Sequence, residues 1–176
     1  MNDPTSDDAS ETEAPVVLER IARESAPVLD NLVELYAHDF SEFIPLAIKE
    51  SGRFELSFGD AWWWRDDRFP FFIRQGSALA GFALVERGSR VTSSSDMMSV
   101  AEFFVVRGAR RHRVGTRAAH AVFGLFPGPW EVRVRKANVV AMAFWARALE
   151  EWPHETLRGG AFSAEGVDWN VFHVEP

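Results

Sequence analysis

Between an apolar run and a helical pattern, residues 103 to 116 read FFVVRGARRHRVGT. Arg107, Arg110, Arg111, Arg113 and Arg117 place five guanidinium groups within eleven residues of a chain whose formal net charge is −7. So short a cluster suits a small anion better than a long nucleic-acid track. A strand that enters a helix through a short basic loop leaves several main-chain N–H groups aimed at one place, and the helix dipole makes that place attractive to phosphate. Gly115 would let a ligand approach the backbone closely, Thr116 adds a hydroxyl donor, and arginines pair with phosphate oxygens. A pyrophosphate suits these donors. The patterns GxxxxGK[ST] and GxGxxG are both absent, so the loop is neither a P-loop nor a dinucleotide fingerprint. A solvated basic face and a nucleic-acid contact are the competing readings of the cluster, and the lack of other basic clusters speaks against the second.

The flanking residues must supply the elements that hold this loop. Met98 to Val106 reads as a buried strand leading into it. From Val114 to Phe126, Ala118, Ala119, Val122, Phe123 and Phe126 keep helical spacing until Pro127-Gly-Pro129 ends the helix. Trp130 to Arg135 alternates as a half-buried strand does. Asn138 opens another helix whose face carries Ala141, Phe144, Trp145, Ala148, Leu149 and Trp152, with Pro153 at its end. Upstream, Val16 to Ile21 predicts a first strand. Ser25-Ala-Pro27 then starts a helix whose apolar face runs from Val28 to Ile44, where Pro45 breaks it. Residues 46 to 67, with the triplet Trp62-Trp63-Trp64, read as a short helix plus loop. Phe69 to Arg74 and Ala78 to Val85 are an antiparallel pair joined by Gln75-Gly-Ser77, and Ser89 to Asp96 is a longer polar turn. Two closing strands are expected near Glu155 to Arg158 and Val167 to Val174. The order β, α, irregular, β, β, β, α, β, α, β, β predicts an α/β sandwich with a mixed sheet.

Composition bounds what such a domain can be. At 176 residues, 47% hydrophobic and 26% charged, the chain has room for one domain with a core and too little for two. Residues 1 to 14 form an acidic segment, with Asp3, Asp7, Asp8, Glu11 and Glu13 and no base, expected to be a disordered tail; residues 15 to 176 are expected to be the single domain. Neither a secretory signal nor a membrane span is read, so a cytoplasmic protein is expected. No cysteine is present, and the five histidines lack metal-ligand spacing, so no metal is expected.

Two motifs together resemble the Gcn5-related N-acetyltransferases. Arg110-Arg-His-Arg113-Val-Gly115 resembles the family's [QR]xxGx[GA] loop, which binds the pyrophosphate of acetyl-CoA after the fourth strand, with Arg113 in place of the first glycine. Asn138-Val-Val-Ala141-Met-Ala-Phe144-Trp145 resembles its NxxAxxFY element after the fifth strand. The element order is also the family's, so the likeness spans roughly residues 16 to 174. FFVVRGARRHRVGT, FPGPWEVRV and NxxAxxFW resemble in particular a bacterial group of predicted acetyltransferases. The resemblance implies a mixed, mostly antiparallel sheet of six to seven strands flanked by helices and splayed between strands 4 and 5.

It also implies roles. The main chain at Val105 and Val106 would bond the acetyl and pantetheine groups of acetyl-CoA. Arg110, Arg111, His112, Arg113, Val114, Gly115 and Thr116 would hold the pyrophosphate, with Arg113 turned outward to a CoA phosphate, and Asn138 would contact the pantetheine arm. Direct transfer to a small primary amine needs a base, an oxyanion donor and a proton for the thiolate. Glu102 at the head of the fourth strand is the first candidate base and His173 the second, although Glu102 can instead form a salt bridge to an arginine and His173 can be a satisfied strand histidine. The family's usual tyrosine acid is here Trp145, and the only tyrosine, Tyr36, belongs to the first helix. Trp62, Trp63 and Trp64 suit an acceptor pocket, core packing or an oligomer interface equally, and Asp60, Asp66 and Asp67 would suit a cationic acceptor. A homodimer is left open, no nucleic acid or membrane partner is expected, and a non-catalytic acyl-CoA-binding domain is the alternative to an enzyme.

Overall fold

Seven strands pair into one sheet in the order β1-β2-β3-β4-β5-β7-β6 in a computed structural model that describes residues 14–54, 56 and 64–176. The strands are β1 (Val16–Arg20), β2 (Arg68–Gln75), β3 (Ala78–Arg87), β4 (Met98–Val105), β5 (Trp130–Arg135), β6 (Thr156–Ala164) and β7 (Val167–Glu175). Every neighbouring pair is antiparallel except β4 with β5. Among the described residues three α-helices cover the sheet: α1 (Ala26–Phe40), α2 (Val114–Leu125) and α3 (Val139–Glu150). The fold class expected from the residues is the one observed. The acidic residues 1 to 13, Asp60, Trp62 and Trp63 lie outside the described residues.

The alternation of side chains along the strands divides the core in two. On one face Leu29, Leu32 and Val33 of α1 pack against Phe72, Phe82, Leu84 and Phe104. On the other, Val114, Ala118, Ala119, Val122 and Phe123 of α2 and Trp145, Ala148 and Leu149 of α3 pack against Val100, Val105, Trp130, Val132 and Val134. Trp130, which opens β5 directly after Pro129, is among the largest fully buried side chains and anchors that strand to α2 through Phe123.

One irregularity shapes the site. β4 pairs with β3 as Leu84↔Glu102 and then Val85↔Val100, so Ala101 is an extra residue without an opposite number. Such a bulge bends its strand and increases its local twist. On the other side of β4 the parallel pairing with β5 runs only from Met98↔Trp130 to Val100↔Val132. Pairing ends where the bulge begins, and the sheet opens there as a splay.

Several boundaries differ from the sequence reading. α1 stops at Phe40 instead of running to Ile44: the amides of Phe43 and Ile44 turn back onto the Phe40 carbonyl, because the residue before Pro45 is disfavoured in the helical region. The expected short helix within residues 46 to 67 falls in part on residues outside the described ones; among those described, Ile48 and Phe54 form an isolated antiparallel bridge. β6 extends to Ala164, past the expected Arg158, because Glu165 and Gly166, at φ 52° and 75°, form a tight turn that returns the chain into β7.

Candidate active site

The floor of the splay carries an acid–base pair. The Tyr36 hydroxyl on α1 donates to Oε2 of Glu102 on β4 at 2.6 Å. Tyr36 is fixed by rings on three sides, stacking with Phe40 at 5.3 Å and meeting Phe82 and Phe104 at 5.8 Å. Burial pushes the Glu102 carboxyl up to about 7, against the opposing pull of the Tyr36 hydrogen bond and of Arg133, Arg90 and Arg135. Burial, and then the neighbouring Glu102 charge, hold the Tyr36 phenol well above its ordinary value. Glu102 is therefore poised to exchange a proton near neutrality, and Tyr36 stays protonated as its donor. Tyr36 and Glu102 are 66 residues apart in sequence. The sequence singled out each residue and not their contact.

Backbone groups along the opened edge of β4 complete this floor. The Val106 amide donates to the Ala80 carbonyl, and the Val106 carbonyl accepts from Ala109. The Phe104 carbonyl likewise faces Gly81 of β3. Alternation then turns the main-chain groups of Phe103 and Val105 toward the splay. Of the two residues expected to act through their backbone, Val105 lies on the open edge and Val106 has both groups engaged. The Val105 carbonyl is taken by Arg110 Nε at 2.8 Å, which leaves the Val105 amide.

Beyond β4 the basic loop winds into α2. Arg113 caps that helix in the left-handed region, at φ 53°, and Arg111 is left-handed as well, at φ 73°. A left-handed non-glycine residue costs about 1–2 kcal/mol. No side chain caps α2, so the amides of Val114, Gly115 and Thr116 have no capping partner at its N-terminus. Arg107 and Arg110 both reach Asp39 on α1. Burial opposes ionisation of Asp39, but the bonds from Arg110 and Arg107 outweigh it and hold the carboxyl below its usual range. Arg113, expected to point at a phosphate, donates to Glu151 at 2.6 Å, an acceptor it shares with Arg147. Arg117 bonds the carbonyls of His112 and Ala14. Arg111 and His112 are exposed and make no ion pair among the described residues.

The fold that carries this arrangement recurs in solved proteins. No family model matches the chain, and no curated protein matches it in sequence. An acetyltransferase from Thermus thermophilus superposes with a TM-score of 0.68 at 11% identity, covering 93% of this chain and 99% of its own. A probable GNAT-family acetyltransferase from Chromobacterium violaceum superposes at 0.58 with 16% identity, over 99% and 96%. An aminoglycoside acetyltransferase solved with coenzyme A and kanamycin superposes at 0.68 with 9% identity, over 92% and 95%. The chain has the Gcn5-related N-acetyltransferase fold.

Within the acetyltransferase fold, the two motif segments have structural tasks of their own. A Cβ on Gly115 would come 3.0 Å from Phe144 Cε2 and 3.3 Å from its Cζ, so this glycine lets α2 close on α3. The expected open approach for a ligand at that Cα is filled by the Phe144 ring. The amide of Gly115 is unaffected by this. Asn138 is the N-cap of α3, its carboxamide oxygen accepting from Ala141 N–H at 2.9 Å, which leaves its NH2 group for other contacts. Trp145, expected at the position of the family's tyrosine, is buried against Phe103, Phe123 and Phe144.

His173, the second candidate base, is engaged by a buried carboxylate. Its Nε2 lies 3.2 Å from Oε2 of Glu131, a fully buried carboxylate that also accepts from the Ser89 hydroxyl and the Arg90 amide. Asp67, which the sequence suggested for a cationic acceptor, pairs with Arg65 and Arg68. Trp64 packs beside the α1 face of the core.

Proposed function

We propose that this protein is an acetyl-CoA-dependent N-acetyltransferase that transfers the acetyl group directly to a small primary amine. The observation that carries the reading is the Glu102–Tyr36 pair at the floor of the splay, a carboxyl tuned to about 7 beside an opened strand edge. The residues fit the co-substrate. The capless amides of Val114, Gly115 and Thr116 offer donors to a pyrophosphate, Arg111 and His112 are exposed beside them, and the Val105 amide faces the gap between β4 and β5. The Asn138 NH2 group, unused by the N-cap, would meet an extended arm. Acetyl-CoA bound there supplies an activated thioester acetyl group.

Glu102 Oε2 takes the proton of the acceptor ammonium, directly or through one water, and so presents a neutral amine. Tyr36 Oη holds that carboxylate in place by donating to it. The Val105 N–H is oriented to donate to a developing oxyanion. Attack of the neutral amine on the thioester carbonyl forms the C–N bond and breaks the C–S bond. Trp145 cannot donate a hydroxyl proton, so the departing thiolate takes up, through water, the proton that the attacking nitrogen loses. This reading goes with a bacterial, cytoplasmic setting.

The test is a thermal-shift titration with acetyl-CoA followed by an amine panel monitored for free CoA. Stabilisation together with CoA release above background supports the enzyme. The absence of a hydroxyl at Trp145 favours the second reading, an acyl-CoA-binding domain without turnover. Stabilisation without release from any amine would decide for it.

A further inference from the structure

Arg133 and Arg135 point the same way from β5, toward the α1 side of the sheet. The Arg133 guanidinium lies 5.1 Å and that of Arg135 5.2 Å from the Trp169 ring on β7, and Arg135 lies 5.8 Å from Phe40 on α1. Phe40 stacks on Tyr36, which holds Glu102. The last paired step of β4 and β5 is Val100↔Val132, so Arg133 and Glu102 are the first outward residues past the point where the strands part. Both arginines bias the ionisation of Glu102. Rings and charges from four elements thus enclose the ground beside the candidate base.

These guanidinium groups are underused. The Arg133 side chain is only 10% exposed, yet its Nε is buried without a hydrogen-bond partner. Its nearest carboxylate, Glu131, stands 3.5 Å away and already accepts from Ser89, Arg90 and His173. Arg135 makes no hydrogen bond from its side chain to any described residue, and neither arginine has an ion pair that satisfies its fork. A buried guanidinium carries five donors, and leaving them unpaired is costly enough that native proteins rarely do so without a reason. Glu86, the other buried carboxylate nearby, is occupied by Arg90 and Arg68. Positive charge is therefore in excess where the acceptor would sit.

We propose that Arg133 and Arg135 form an anion subsite for the acceptor, so that the amine this protein acetylates also carries a carboxylate. The proposal rests on the acetyltransferase reading for its chemistry, though binding can be measured without turnover. A carboxylate matches the planar guanidinium fork, and its fixed position would aim the amine of the same molecule at Glu102. The CoA phosphates are not the anion in question. The helix whose N-terminus suits them, α2, packs on the opposite face of the sheet from Tyr36, Phe40 and the two arginines.

The experiment compares α-, β- and ω-amino acids with their carboxamides on the full chain, by calorimetric binding in the presence of CoA and by CoA release with acetyl-CoA. At least one amino acid is expected to exceed its carboxamide by about 10- to 100-fold, the range of a charge-assisted hydrogen-bonded pair. Arg133→Met should bring that ratio close to one, with acetyl-CoA affinity retained. Arg133→Lys should restore part of the preference, and Arg135→Gln provides a second variant should the first fail to fold. Equal binding and turnover of acids and amides, no binding by any acid, or a preference that survives both substitutions would overturn the subsite. Arg133-dependent binding of acids without CoA release would leave the subsite standing and remove the transferase reading; release from amines regardless of a carboxylate would do the reverse.

Discussion

Tyr36 Oη and Glu102 Oε2 lie 2.6 Å apart, joining the middle of α1 to the bulged segment of β4. The bulge at Ala101 does two things at once: it ends the pairing of β4 with β5, and it sets Glu102 on the side of the sheet that α1 covers. The same irregularity therefore opens the gap between β4 and β5 and aims the candidate base.

Turnover should rise with pH through about 7 as Glu102 ionises. The Tyr36 hydrogen bond favours the charged carboxylate, so Tyr36→Phe, which keeps the ring contacts, should move that limb upward by about one unit. A pH–rate profile of both proteins checks this. An unmoved limb would separate Tyr36 from the ionisation of Glu102.

Glu102→Gln should cut turnover by two orders of magnitude or more, about the contribution of a general base, while leaving acetyl-CoA affinity intact. It should also change the pH dependence of folding. The folded pKa of Glu102 is about 7, above the ordinary 4.5, so the folded protein holds the proton more tightly. Its contribution to stability is full below about 4.5 and is lost as pH rises through about 7, amounting to roughly 1–3 kcal/mol after allowance for partial solvent access. Urea melts at pH 5 and pH 8 should show wild type losing more stability than Glu102→Gln between the two.

Gly115→Ala should destabilise by about 1–3 kcal/mol, the usual range for an added methyl group in a packed site, because the new Cβ meets the Phe144 ring at 3.0 Å. Phe144→Leu in the same chain should recover part of that loss. A double-mutant cycle in urea measures the coupling, and strict additivity would show that the helices do not close at this contact.

Asp39 pairs with both Arg107 and Arg110. Asp39→Asn should cost at most about 1 kcal/mol of stability, as for other exposed pairs. The released arginines should tighten acetyl-CoA binding by about three- to tenfold at low salt, with the gain shrinking as ionic strength rises. Calorimetric titration at two salt concentrations checks the prediction. Weakened binding would mean that Asp39 instead positions Arg110 for the phosphates.

How much of this was legible in the residues depends on the range of the interaction. The strand before the arginines, the helix after them, the break at Pro127-Gly-Pro129 and the Asn138 helix start are written in local spacing and in residues with restricted backbones, so they could be read directly. The end of α1 was misread because Phe43 and Ile44 continue the apolar spacing while Pro45 forbids its backbone, and the backbone preference prevailed. Arg113 shows the same limit from another side: its residue type announces charge, but its left-handed φ and its bond to Glu151 depend on where α3 lies.

By itself the sequence determined the order of elements, the basic loop ahead of α2 and the short inventory of groups able to move a proton. Only the tertiary structure decided which of those groups meet. Glu102 found Tyr36 and not an arginine, His173 was claimed by Glu131, and Gly115 was claimed by Phe144. Arg133 was buried with its Nε unpaired. Each outcome follows from contacts between residues far apart in the chain, and local propensity and spacing carry no information about such contacts until the sheet has set its register.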